Sequence, residues 1–158
     1  MAPTIATTTQ VGLDELGEFV TDRHQGVLIT TKDDGSVQAS PVTCGWSDGQ
    51  ILVATYPSRA KTVNARKRTG VSIVVLSNEF NGAWVQIDGD ADVLDVPEAV
   101  DGLVEYFRCV AGEHSDWDEY REAMVRQNKS LIRITPRRWG PVATGGFPPE
   151  LAREGELN

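Results

Sequence analysis

The sequence predicts a mainly β domain with flanking helices, built as a six-stranded antiparallel barrel, and three observations predict it. Short apolar and β-branched runs recur along the chain. Asp-Gly and Asn-Gly pairs separate several of them, and such pairs suit hairpins whose central residues take positive φ. Six strands, most of them joined by tight turns, favour a closed barrel, because closure removes exposed edges. The 158 residues fit one domain, with an ordered core of about 11–149. The ends, 1–10 and about 150–158, are expected to be mobile.

Taken in order, Leu13, Leu16, Phe19 and Val20 outline a short amphipathic helix. Residues 26–31 form the first strand; Asp34-Gly35 turns the chain into the second, 37–46. Asp48-Gly49 leads into the third, 51–55, and a short helix follows from Pro57 and Ser58, with Gly70 as its exit. Residues 71–76 are the fourth strand, and Asn81-Gly82 turns into the fifth, 83–93. A helix over 97–111 carries Val100, Leu103, Val104, Phe107, Val110 and Ala111 on one stripe, with Asp95 as its cap and Glu98 three residues on. Ser115 is placed to cap a further helix bearing Trp117, Tyr120, Met124 and Val125, and 131–135 is the sixth strand. These apolar stripes read as core.

A net charge of −8 argues against nucleic acid as the main partner, since binding phosphates needs a basic surface. No apolar run approaches the ~20 residues that span a bilayer, and residues 1–12 lack the pattern of a signal peptide. A soluble, cytoplasmic protein with no membrane partner is expected. Cys44 and Cys109 sit in no metal-ligand spacing and read as free buried thiols.

Positive charge is nevertheless clustered. Arg59, Lys61, Arg66, Lys67 and Arg68 form one acid-free group; Arg126, Lys129, Arg133, Arg137 and Arg138 form another. Lys67 and Arg68 suit the negative end of the short helix's dipole, but Arg59 and Lys61 lie at its positive end, where free N–H groups already point outward. A bound phosphate would reverse that mismatch, accepting hydrogen bonds from those N–H groups, from Ser58 and Thr62, and from both cations. A solvated basic face is the competing reading, and spacing alone leaves the two level.

The segment Ser58-Arg59-Ala60-Lys61-Thr62, after a strand and opening a helix, resembles the phosphate-binding segment of the pyridoxamine-phosphate-oxidase-like split β-barrels. The run Ala111-Gly112-Glu113-His114-Ser115-Asp116-Trp117-Asp118-Glu119-Tyr120 resembles the actinobacterial branch of their flavin/deazaflavin oxidoreductases, which use coenzyme F-420. The resemblance runs from about Leu13 to Trp139 and implies an FMN-binding split barrel, assembled as a homodimer with the cofactor at the subunit interface. It places the phosphate at Ser58, Arg59, Ala60, Lys61 and Thr62 with Asn64 nearby, and the ring near Ala54 and Thr55. Gln38, Ser40, Pro41 and Val42 match positions lining the ring or ribityl chain; Ala83, Trp84, Val85 and Gln86 match the partner's contribution, with Trp139 as a further candidate. Read as residues alone, Val42, Ala54 and Val85 also suit barrel packing, Trp84 a cross-strand aromatic pair and Gln38 a solvent-facing position. His114 is read as a local cap or loop brace, and His24 has no constellation around it.

No nucleophile–base–orienter set, G-x-G-x-x-G turn or zinc-like cluster is present, so no catalytic residue and no metal is assigned. That suits a cofactor that carries the chemistry while the protein positions it. The resemblance implies an F-420-dependent reductase transferring a hydride to an unsaturated organic acceptor, tetrapyrrole- or quinone-like. An FMN-dependent oxidoreductase on the same fold and a non-enzymatic flavin-, haem- or lipid-binding protein are the alternatives. Arg66, Lys67 and Arg68, or the group from Arg126 to Arg138, are candidates to line the exit of the acidic F-420 tail. The loop Gly145-Gly146-Phe147-Pro148-Pro149 either covers the site or trails on the surface.

Overall fold

Period-two alternation decides which side of each strand is sealed. The computed structural model describes residues 4–151. In β2 (Gln25–Thr31) the buried residues are Gly26, Leu28 and Thr30, and in β5 (Gly70–Leu76) they are Val71, Ile73 and Val75. The two strands pair antiparallel with Leu28 opposite Ile73, so these residues share one face. β3 (Val37–Ser47), β4 (Gln50–Thr55), β6 (Trp84–Asp95) and β7 (Ser130–Trp139) continue the sheet in the order β6-β5-β2-β3-β4-β7, and a β6–β7 ladder closes it. The result is the expected six-stranded antiparallel barrel. Its interior holds Leu28, Ile51, Val53, Ile73, Val75, Val85, Ile87, Ile132 and Ile134, all essentially without exposure.

Helices cover the barrel. α1 (Leu13–Thr21) buries Leu16 and Val20 in the same core. α3 (Val100–Ala111) and α4 (Trp117–Arg126) make a second core with the outer side of β4 and β7, through Leu103, Val104, Tyr120 and Met124 against Leu52 and Leu131. Among the described residues no helix is long and apolar enough to cross a membrane.

Turn chemistry matches expectation at two of three places. Asp48 and Gly49 have φ of 50° and 76°, the pair of positive values a tight β3–β4 hairpin requires, and Gly35 has φ 84° between β2 and β3. Asn81-Gly82 differs: neither residue has positive φ, and the link from β5 to β6 spans 77–83. Gly82 is needed for space, since a Cβ there would lie 2.6 Å from the Ser77 Cβ.

Two expected helix caps are corrected, and near the chain start β1 (Thr7–Thr9) pairs with β8 (Val142–Thr144) while Ile5 bridges Phe147. Residues 149–151 form a short 3-10 turn, and the rest of the expected mobile tail, 152–158, lies outside the described residues together with 1–3. α3 begins at Val100, and Asp95 does not cap it; its carboxylate accepts instead from Ser130 Oγ (2.6 Å) and Arg66 (2.9 Å). α4 is capped by Asp116, which accepts from the Glu119 N–H, and not by Ser115. Each missed carboxylate role depends on a partner distant in sequence or on loop geometry that spacing does not reveal.

Candidate functional site

The barrel is open along one seam. The β3–β4 ladder runs only from Cys44–Val53 to Ser47–Gln50, so β3 from Val37 to Thr43 has β2 on one edge and no strand on the other. In that stretch Gln38, Ser40 and Val42 lie opposite Thr30, Leu28 and Gly26 and therefore face inward, whereas Pro41 lies opposite Val27 on the outer face. Ser40 Oγ is enclosed yet has no hydrogen-bond partner, the one buried side-chain polar atom so placed among the described residues. Buried hydroxyls are nearly always paired, so an orphan beside an open seam is a fitting point for a ligand.

α2 (Ala60–Lys67) lies across the end of this seam, packed on β2, β3 and β6. Its inner side is fixed by polar contacts. Thr55 and Thr62, both buried, share a hydroxyl–hydroxyl hydrogen bond of 3.2 Å. Asn64 Nδ2 donates to Thr30 Oγ1 (3.2 Å), which donates to Gln38 Oε1 (2.8 Å). Sequence reasoning missed Thr30, because its role emerges only from strand pairing. Five sequence candidates, Gln38, Thr55, Thr62, Asn64 and Ser40, thus meet around the seam.

The helix entrance carries the charge anomaly. Arg59 is the N-cap residue with no side-chain capping bond, and the first turn contains no acid. Thr62 and Val63 donate to the Arg59 carbonyl, while the N–H groups of Ala60 and Lys61 have no partner among the described residues. Burial, and then the Arg59 charge, pull Lys61 below the ordinary lysine value. Neither Arg59 nor Lys61 makes an ion pair among the described residues, whereas Arg66 pairs with Asp95 and both Lys67 and Arg68 pair with Asp33. The sequence could not distinguish these cations, since Asp33 and Asp95 approach from other elements. Ser58 is exposed beside them.

The remaining candidates lie elsewhere. Ala54 packs in the second core, on the opposite face from Thr55. Trp84 and Gln86 stand on the outer face of β6, Ala83 just precedes them, and the Val85 side chain is sealed in the barrel core with no exposure. β2 and β5 separate β6 from β3, three strand spacings or about 14 Å, so within one chain Trp84 and Gln86 do not meet the seam. Trp84 instead walls two cavities. One, of about 630 Å³, is lined by Val74, Leu76, Phe80 and the 145–146 loop; the other, of about 400 Å³, by Gln86, Asp88, Arg138 and Trp139. Ser72 first and Arg138 next hold Asp88 below the usual carboxylate range. Trp139 Nε1 donates to the Val11 carbonyl (2.8 Å). The 145–149 loop is held against the chain start, with Ala6 N–H donating to the Phe147 carbonyl (2.9 Å).

The 111–120 run is an α3–α4 hairpin whose residues hold one another. The Asp116 N–H donates to His114 Nδ1 (2.9 Å), Trp117 Nε1 donates to Glu113 (3.0 Å), and Arg108 pairs with Glu113 (3.2 Å). His114, Phe107, Trp117 and Tyr120 pack ring against ring, and the Tyr120 hydroxyl donates to the Leu103 carbonyl. His114 is thus the brace it was expected to be. Burial pushes the Tyr120 phenol and the Cys44 thiol each up to about 12, and also raises Cys109; both cysteines are free. No group of three or more His, Cys, Asp or Glu among the described residues could hold a metal ion.

A family model described as pyridoxamine 5'-phosphate oxidase matches residues 13–143. Among solved structures, the conserved hypothetical protein Rv2991 from Mycobacterium tuberculosis is 23% identical with a TM-score of 0.68, covering 84% of this chain and 85% of its own. A protein described as an F-420 reductase is 16% identical with a TM-score of 0.58, covering 77% and 94%. A FAD-binding protein from Mesorhizobium loti is 15% identical with a TM-score of 0.61, covering 89% and 99%. At these identities the likeness to solved structures is one of fold.

Proposed function

The chain belongs to the pyridoxamine 5'-phosphate oxidase family, and from that premise we propose that it is a coenzyme F-420-dependent oxidoreductase working as a homodimer. The observation that carries the reading is the α2 entrance: Arg59, Lys61 and two free N–H groups without counter-charge, beside a seam where Ser40 Oγ lacks a partner. These groups fit the phosphate and ribityl hydroxyls of a flavin-type cofactor. Arg59, Lys61, Ser58 and the Ala60 and Lys61 N–H groups would hold the phosphate, and Ser40 and Gln38 the chain above it. When bound, the deazaflavin supplies the hydride chemistry. The protein's part is to fix the ring against β3 and to exclude water.

Trp84 and Gln86 lie too far from the seam to serve their own chain's site, which supports a second copy bringing them to it. On the outer sheet face Leu76 lies opposite Trp84 and Val74 opposite Gln86, with Val27 next to Val74 on β2. The acceptor in this reading is an unsaturated organic molecule, tetrapyrrole- or quinone-like, seated against the aromatic surface near Trp84. The name of the F-420 reductase of similar fold is consistent with the deazaflavin, and that of the FAD-binding protein keeps a flavin as the second reading. Oxidation of reduced F-420 by biliverdin or a quinone, followed spectrophotometrically with catalytic amounts of protein, is the expected result. Saturable binding of the cofactor without any turnover would contradict the enzymatic reading and leave a binding protein.

A further inference from the structure

The larger of the two cavities beside Trp84, about 630 Å³, is built from parts of the chain that meet only in the fold. Its floor is the outer face of β5 and β6, where Val74, Leu76 and Trp84 stand. One wall is the 77–83 loop, through Phe80, Asn81 and Gly82. That loop is braced at its base. Ser77 Oγ donates to the Ala83 carbonyl (2.5 Å) and accepts from Arg23 Nε (3.1 Å), and the Gly82 N–H donates to the Glu79 carbonyl (2.9 Å). Another wall comes from the two ends of the chain. Trp84 pairs with Ala143 across β6 and β8, which brings Gly145 and Gly146 to the cavity. Thr4 completes this wall; its carbonyl accepts from the Phe147 N–H (2.6 Å), and a Cβ on Gly146 would collide with it.

The family match covers residues 13–143, so Thr4, Gly145 and Gly146 lie outside it, and this wall does not follow from the family likeness. Single exposed apolar residues are normal on a protein surface. Phe80 is a different case: 86% exposed, it stands on a braced loop at an apolar cavity, which it shares with a second exposed aromatic, Trp84 at 39%. Among the described residues no charged side chain lines this cavity, whereas Asp88 and Arg138 line the other one that Trp84 walls. Asn81 supplies an amide that donates to a carbonyl oxygen without bringing charge. A flat conjugated molecule gains from such walls, since two aromatic rings offer stacking or edge contacts and Val74 and Leu76 take apolar surface out of water. An anion loses there, because its charge leaves water and meets no counter-charge.

We infer that this cavity is a binding site for an uncharged, flat, conjugated molecule, with Phe80 and Trp84 as its aromatic contacts and Asn81 as its donor. Resting on the reading that the acceptor is seated near Trp84, the inference narrows that acceptor to the uncharged, quinone-like class. Carboxylate-bearing tetrapyrroles would have to leave their charged groups outside the cavity. Phe80 and Asn81 are then specificity-determining residues. Both are exposed, so the fold does not depend on either side chain.

The probes are two anthraquinones with one ring system, the uncharged hydroxymethyl derivative and the anionic sulfonate. Their dissociation constants are measured by calorimetry on the full-length protein without cofactor. Wild type should bind the uncharged probe at least about tenfold more tightly than the sulfonate. Phe80→Ala should weaken the uncharged probe roughly three- to tenfold, and Phe80→Tyr should keep most of its affinity. Asn81→Lys, which adds a cation to the wall, should tighten the sulfonate at least about threefold. A sulfonate bound as tightly as the uncharged probe in wild type, binding of neither probe, or variants indistinguishable from wild type overturns the site. If Phe80→Ala shifts subunit dissociation in sedimentation and leaves probe binding unmoved, Phe80 belongs to a subunit contact and the site is overturned. Oxidation of reduced F-420 by the uncharged probe, which takes up a hydride and a solvent proton to become the hydroquinone, is followed separately. Binding with the expected shifts but no oxidation sustains the site and overturns the enzymatic reading. Oxidation with a KM that neither substitution moves sustains the enzymatic reading and overturns the site.

Discussion

Replacing Lys61 by Gln should move two measurable quantities in opposite directions. Lys61 lies in the first turn of α2, whose N-terminal end carries positive partial charge, and its nearest charged neighbour is another cation, Arg59. Burial and Arg59 both disfavour its charged form, so in the cofactor-free protein Lys61 opposes folding. A cation misplaced at a helix end costs about 0.3–1 kcal/mol, so Lys61→Gln should raise the stability of the free protein by that amount. For a chain of this length that is about 1–4 °C in Tm. With a phosphate bound, Lys61 instead makes a charge-assisted hydrogen bond worth about 1.5–3 kcal/mol, so the same change should weaken the cofactor about 10- to 150-fold. The assay is thermal unfolding without cofactor together with a binding titration. Lys67→Gln is the control: it removes a cation from the favourable end and the Asp33 contact, so it should slightly lower stability and leave affinity unchanged. A Lys61→Gln protein with unchanged affinity, or with lowered stability when free, would refute the reasoning.

Asp95 is held below the usual carboxylate range, first by Ser130 and then by Arg66, against the opposing effect of burial. Its contribution to stability is present above the ordinary value of 3.8 and is lost as pH falls through the depressed folded value. Ser130→Ala should cost about 1 kcal/mol in urea unfolding at neutral pH and move the Asp95 titration, followed by NMR, upward toward that ordinary value. Asp116→Ala should remove about 1 kcal/mol through the lost α4 cap and leave cofactor affinity unchanged, since the 111–120 run holds the α3–α4 hairpin. Gly89→Ala should cost about 2 kcal/mol or more in chemical unfolding, because its Cβ would lie 2.5 Å from the Thr135 carbonyl oxygen at the β6–β7 bulge, where no rotamer change relieves it.

The strands were legible because each alternates over enough residues to show which face is buried, and Asp48-Gly49 marks its hairpin by a backbone requirement that few residues meet. β1 and β8 were not, since Thr7–Thr9 and Val142–Thr144 are three residues each and gain strand character only from one another. At the site, Arg59 and Lys61 could be read as misplaced charges from helix direction alone. Their difference from Arg66, Lys67 and Arg68 could not, because Asp33 and Asp95 reach those residues across the fold. Thr30 was invisible for the same reason: its neighbour Gln38 is set by strand pairing. The same alternation also divides the sequence candidates, placing Val85 in the core and Trp84 and Gln86 on the outer face, and turning Ala54 away from Thr55.

Whether the seam beside α2 holds a phosphate-bearing deazaflavin is tested most directly by equilibrium fluorescence titration of the wild-type protein with F-420 and, in parallel, with FMN. The account predicts saturable F-420 binding, tighter than FMN, with one cofactor per chain and two per assembled dimer. Tight binding of FMN alone, or binding of neither, would contradict it.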